Sequence, residues 1–141
     1  MKELEIYCDG SKDENGVSGI GLVFVSNNTI LKQLFYKLPF KGNGSWLSEY
    51  TALIYALYML DTYVESLTVY TDQIGIINQI MGVENEKEDL SKKLLNIIKR
   101  EIKGAKCKYF RILYVKSHNK NTFHDLADKL AEEGRKNGSF I

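Results

Sequence analysis

Apolar and polar residues alternate over Glu3–Asp9, with Leu4, Ile6 and Cys8 on one face and Glu5, Tyr7 and Asp9 on the other. A period of two predicts a strand with one buried face, and Gly10 is expected to end it. Val17–Ser26 reads as a second, more apolar strand, and Thr29–Leu38 as a third, separated by the turn signal Asn27-Asn28. Three strands joined so tightly predict an antiparallel meander. Pro39 and the loop Lys41–Ser45 close it.

The period then lengthens. From Ser45 or Ser48 to Asp61, Leu47, Tyr50, Leu53, Ile54, Leu57 and Leu60 form an apolar stripe at helical spacing, with serine as N-cap. Glu49 flanks that stripe in the expected first turn, where the helix dipole favours an acid. Glu65–Thr71 alternates again as a fourth strand. Asp72 is placed to cap a short helix over Gln73–Met81, which Gly82 and an acidic run break. Leu90–Ile102 is an amphipathic helix ended by Gly104, and Lys106–Lys116 a fifth strand. A last helix starts at Asn121 or Thr122 and reaches Lys136, with Phe123, Leu126, Ala127, Leu130 and Ala131 as its stripe.

This order predicts an α/β fold with a five-stranded mixed sheet. Strands one, four and five are parallel, joined by right-handed crossovers. If strand four lies beside strand one, Asp9 and Asp72 leave the carboxyl ends of adjacent parallel strands, where open α/β sheets place their sites.

A chain of 141 residues suits one domain, taken as residues 1–141. With 44% hydrophobic and 26% charged residues it has the composition of a soluble globular protein. No apolar run reaches the ~20 residues that span a bilayer. The opening MKELEIYCDG lacks the apolar core of a signal peptide, so a cytoplasmic setting is expected. Cys8 and Cys107 form no motif and are expected reduced, as small hydrophobes in strands. Net charge is +1, which does not by itself mark a nucleic-acid binder. The distribution is uneven: Glu84, Glu86, Glu88 and Asp89 precede a basic stretch from Lys92 to Lys120. That stretch is either a solvated face or a phosphate-facing surface.

Taken singly, the acids have ordinary explanations. Asp9-Gly10 is a common turn dipeptide, Glu49 a helix-start acid and Asp72 a cap. Together they bring three like charges to one end of the sheet, which is costly unless a cation lies among them. The last helix offers a fourth. At 100° per residue, Asp125 lies opposite the apolar stripe while Asp128 turns back toward its flank, on the side of His124, so Asp128 is the candidate. His118 stands in the polar loop KSHNKN; its ordinary pKa of about 6.5 suits proton transfer, and an idle surface histidine is the other reading.

The blocks YCDGS, SEYTALIYAL, VYTDQ and VKSHNKNTFHDLADKLA, in this order, resemble the signature blocks of the ribonuclease H type I family, over Glu3–Gly134. The resemblance implies a ribonuclease H-like fold with strand order 3-2-1-4-5 and an endonuclease that hydrolyses the RNA strand of RNA/DNA hybrids. It implies two Mg²⁺ ions, with Mn²⁺ the alternative, flanking the scissile phosphate. Asp9, Glu49, Asp72 and Asp128 match the family's metal-binding carboxylates, with Asp9 shared by both ions, and His118 matches its loop histidine. Asn15, Gly10 and Ser11 match the turn that contacts nucleic acid.

Departures lie at the rim. Ser45 and Trp46 stand where asparagines often contact the hybrid, and Gln73 replaces a small hydroxyl residue. All three are candidate substrate contacts, although Trp46 is read first as core packing, with base stacking as the alternative. His124 holds the place of a common asparagine and either orients a ligand or caps the turn. The short acidic stretch Glu84–Asp89 replaces the basic helix of some bacterial members. No obligate protein partner is evident, and a monomer is expected. Two other functions remain open on this fold: a non-catalytic nucleic-acid-binding module, and a DNA-directed nuclease like a resolvase or integrase.

Overall fold

The computed structural model of the chain describes residues 1–41, 45–82, 89–116 and 122–141. Its elements are β1 (Glu3–Lys12), β2 (Ser18–Ser26), β3 (Thr29–Lys37), α1 (Ser45–Tyr58), β4 (Val64–Thr71), α2 (Ile74–Ile80), α3 (Asp89–Lys103), β5 (Cys107–Tyr114) and α4 (Thr122–Asn137). The strands form one sheet in the order β3-β2-β1-β4-β5. β1–β2 and β2–β3 pair antiparallel, β1–β4 and β4–β5 parallel. The expected five-stranded mixed sheet is therefore present. Most of the acidic run, at residues 83–88, the loop residues 42–44 and the histidine loop, residues 117–121, lie outside the described residues.

The alternation along β1 sorts the two faces. Leu4, Ile6 and Cys8 join Ile20, Leu22, Phe24, Leu67 and Val69 in the main core, under α1 and α3. Tyr7, Val23 and Val25 face the other way, toward Ala127 of α4. Tyr7 also stacks on Tyr70, with ring centroids 4.5 Å apart. On this second face α4 comes unusually near the strands. A β-carbon at Gly21 would run into the Ala127 carbonyl oxygen and the Ala131 backbone nitrogen. Only glycine admits a helix at that distance.

Two details differ from the sequence reading. β1 does not stop at Gly10 but pairs with β2 as far as Lys12↔Ser18. Its parallel ladder with β4 ends earlier, at Tyr7↔Tyr70, while β4 pairs with β5 as far as Thr71↔Tyr114. The sheet thus splits between β1 and β4, and Asp9 and Asp72 stand two residues beyond the last shared pair. Asp72 does not cap α2. Gln73 is the residue before that helix and makes no side-chain cap. Its backbone N–H is instead accepted by Thr71 Oγ1 at 3.2 Å.

Candidate active site

Four elements meet at the split. β1 brings Asp9, and the end of β4 brings Asp72. α4 brings His124 and Asp128 across the glycine contact. α1 arrives from the opposite face. A β-carbon at Gly10 would lie 2.6 Å from the Ser48 carbonyl carbon, so the bare backbone there lets the start of α1 approach and carry Glu49 to Asp9. Because α1 begins at Ser45, Glu49 lies in its second turn, not its first. It is buried rather than a surface acid answering the helix dipole.

The cluster is tight. One donor atom from each of Asp9, Asp72 and His124 lies within 4.8 Å of the others. His124 Nε2 is 3.3 Å from Asp72 Oδ2 and 4.0 Å from Asp9 Oδ2. Asp9 Oδ1 accepts the Gly10 N–H at 2.9 Å, and Asp9 also shares side-chain hydrogen bonds with Glu49 and Asp128. The helical-angle choice of Asp128 thus falls on a residue that touches Asp9, while Asp125 is half-buried. Trp46 packs edge-on against Tyr50, at 6.2 Å between centroids, and lies against the main core.

Burial sets the electrostatics. Asp9 is pushed up to about 7, first by burial and then by the neighbouring Asp72 charge; His124 and the Glu49 hydrogen bond pull it down, and a hydrogen bond with Asp128 pushes it up further. Burial, then the Asp9 and Asp72 charges, raise Glu49 well above the carboxylate range. Burial lowers His124, but its bond to Asp72 and the surrounding carboxylates outweigh that and leave it raised. The Cys8 thiol is raised by burial and by the same acids, so it stays protonated. A group of buried acids that resist ionising together is a site for which a cation supplies the missing charge. Glu49 Oε2 adds to this, because it is buried and has no hydrogen-bond partner among the described residues. The oxygen donors suit a hard divalent ion.

The turn behind Asp9 is organised by Asp13. Its Oδ1 accepts the N–H groups of Asn15 and Val17, each at 2.9 Å. Arg135 of α4 reaches the same turn, donating from Nε to Ser11 Oγ at 3.2 Å and lying 3.8 Å from Asp13. Neither Asp13 nor Arg135 was a candidate from sequence; only the Asx-like spacing from Asp13 to Asn15 hinted at the turn. Asn15 is exposed at its tip. Gln73 Nε2 donates to Asp72 Oδ1 at 3.4 Å. His118 and the side chain of Ser45 lie outside the described residues.

A hollow in the sheet lies apart from these acids. That cavity, of about 290 Å³, lies toward the opposite ends of β1 and β4, among Glu5, Thr68, Tyr70 and Arg111.

The RNase H family model matches residues 1–136, and the chain belongs to that family. RNase H1 from the halophilic archaeon Halobacterium salinarum superposes with a TM-score of 0.80 at 20% identity, covering 95% of this chain and 98% of that one. The N-terminal RNase H domain of a Mycobacterium tuberculosis protein gives 0.79 at 20% identity, over 96% of this chain and 95% of that one. LC11-RNase H1, solved in complex with an RNA/DNA hybrid, gives 0.75 at 23% identity, over 94% and 96%. At these identities the likeness establishes the fold. No curated protein sequence matches this one. Among the described residues, no helix is long and apolar enough to cross a membrane.

Proposed function

We propose that this protein is a divalent-metal-dependent endonuclease that hydrolyses the RNA strand of RNA/DNA hybrids. One observation carries the reading: Asp9 and Glu49, both buried and both raised by burial and by neighbouring acids, meet Asp72 and Asp128 at the split between two parallel strands. Family membership supports nuclease chemistry, and the hybrid bound by LC11-RNase H1 supports the substrate.

The four carboxylates would hold Mg²⁺ or Mn²⁺, with Asp9 at the centre because it touches both Glu49 and Asp128 and faces Asp72. Such ions, two in the full site, neutralise the scissile phosphate and acidify the attacking water. The protein's own part is to hold its acids in place around the phosphate, while the cation would offset the burial that resists their ionisation. Glu49 is fixed by burial in α1 and Asp72 by Gln73 and His124. The turn at Gly10, Ser11 and Asn15 lies beside Asp9 and would contact the hybrid, its shape kept by Asp13 and Arg135. Strand choice rests on contacts to the RNA 2′-hydroxyl, which DNA lacks. His118 would carry a proton to or from the reacting phosphate.

The test is a substrate panel. With Mg²⁺ present, labelled RNA/DNA hybrid is expected to be cut in its RNA strand, while double-stranded RNA and double-stranded DNA survive. Asp9→Asn is expected to abolish cleavage and keep the fold, as read by circular dichroism. Tight hybrid binding without cleavage in any metal would favour the binding module, and cutting of a branched DNA substrate would favour a DNA-directed nuclease.

A further inference from the structure

We infer that His124 is a nitrogen donor to the cation site, and that this site consequently prefers Mn²⁺ to Mg²⁺. The inference rests on the proposed function and specifies the ion that serves it.

The geometry is that of a coordination shell. Ligands 2.0–2.1 Å from an ion stand about 3 Å apart when adjacent and about 4 Å apart when opposite. His124 Nε2 lies 3.3 Å from Asp72 Oδ2 and 4.0 Å from Asp9 Oδ2. Small rotations of these side chains would bring all three onto one ion. The imidazole cannot readily withdraw. It is 1% exposed, and its helix lies on β2, where a β-carbon at Gly21 would meet helix backbone. Glu49, the neighbour of Asp9, adds a buried Oε2 that has no hydrogen-bond partner among the described residues.

Donor type then decides the ion. Carboxylates and water serve Mg²⁺ and Mn²⁺ alike, and do not separate them. Imidazole does, because Mg²⁺ prefers oxygen donors and gives up its waters reluctantly, whereas first-row transition ions accept nitrogen. A histidine held against two of the carboxylates therefore converts an all-oxygen site into a mixed one.

The experiment uses the full chain and metal alone. Pulsed electron paramagnetic resonance on the Mn²⁺-loaded protein reports a directly bound ¹⁴N. The chain has two histidines, so His118→Asn is the control. Nitrogen modulation is expected in the wild type and in His118→Asn, and its loss in His124→Asn. Calorimetry should show Mn²⁺ affinity weakened at least about tenfold by His124→Asn, and weakened more than Mg²⁺ affinity. His124→Gln is the second variant, and melting curves check both folds. If neither variant folds, labelling the wild type with ¹⁵N-histidine, read beside His118→Asn, still decides the point.

Absence of histidine nitrogen around Mn²⁺ in the wild type, or equal Mn²⁺ affinity in a folded His124→Asn, would overturn the inference. If the wild type then still cleaved hybrid with Mg²⁺, the nuclease reading would survive. A wild type that bound neither ion and cut nothing would overturn both.

Discussion

On one face of the sheet, α1 and α3 rest on a thick layer of apolar side chains that includes Ile6, Leu22, Leu53 and Ile98. On the other face, α4 lies almost against the strand backbone at Gly21. Both faces deliver acids to the same point, but by different means. The thick face stabilises the fold, and Glu49 travels with a helix fixed by burial. The thin face contributes a smaller apolar cluster, and its role is placement. His124 and Asp128 reach Asp9 and Asp72 because a glycine permits the approach. Position on one face is thus tied to bulk packing, and on the other to a backbone distance.

This contrast can be broken by mutation. Gly21→Ala should push α4 off β2 and move Asp128 and His124 away from Asp9. A displacement of about 1 Å at reacting groups lowers rate by roughly a hundredfold. Cleavage by folded protein is expected to fall by that order, with overpacking costing about 1–3 kcal/mol of stability. Ile98→Ala should act in the reverse way. It removes a fully buried side chain on α3 and should cost about 2–5 kcal/mol, seen as a lower denaturation midpoint. Cleavage per folded molecule should stay near wild type. Equal losses of specific activity in the two variants would erase the distinction between the faces.

A smaller effect concerns pH. Asp9 is raised to about 7 in the fold, against about 4 for an unfolded carboxyl. The metal-free fold therefore holds a proton that the unfolded chain has released. Its stabilisation is complete below about pH 4 and is lost as pH rises through about 7. The raised Glu49 has the same sign. His124, also raised, adds stability below about pH 6.5 that is lost at higher pH. Metal-free protein should thus melt several degrees lower at pH 8 than at pH 5, on a scale of about 2–4 °C per kcal/mol. Added divalent ion should raise the Tm more at pH 8, because binding must displace fewer protons there. A Tm that rises from pH 5 to pH 8 without metal would contradict the described electrostatics.

How far the sequence reached follows from the same physics. Strand periodicity put Asp9 on one face of β1 with Glu5 and Tyr7, the crossovers made β1 and β4 parallel, and the family resemblance supplied their adjacency. Helical angle alone separated Asp128 from Asp125. The extension of β1 to Lys12 was not legible, because its partner in β2, not its own residues, sustains it. Asp72 read as a cap because local chemistry allows one, but its Oδ2 lies 3.3 Å from His124, 52 positions away in the sequence. Gly21 passed as one residue of an apolar strand; its role exists only once α4 is laid on it. His124 left two readings open from sequence, orienting a ligand or capping the turn, and its nearness to Asp9 and Asp72 depends on how α4 lies on the sheet.

The central claim is that buried acids at the split hold the cations on which hybrid cleavage depends. The direct measurement is cleavage of labelled RNA/DNA hybrid by chelator-treated protein across a titration of Mg²⁺ and Mn²⁺. The account predicts no cutting without metal, recovery of RNA-strand cleavage as either ion is restored, and no recovery for Asp9→Asn at any metal concentration. Cleavage that persists in excess chelator, or a fully active Asp9→Asn, would contradict it.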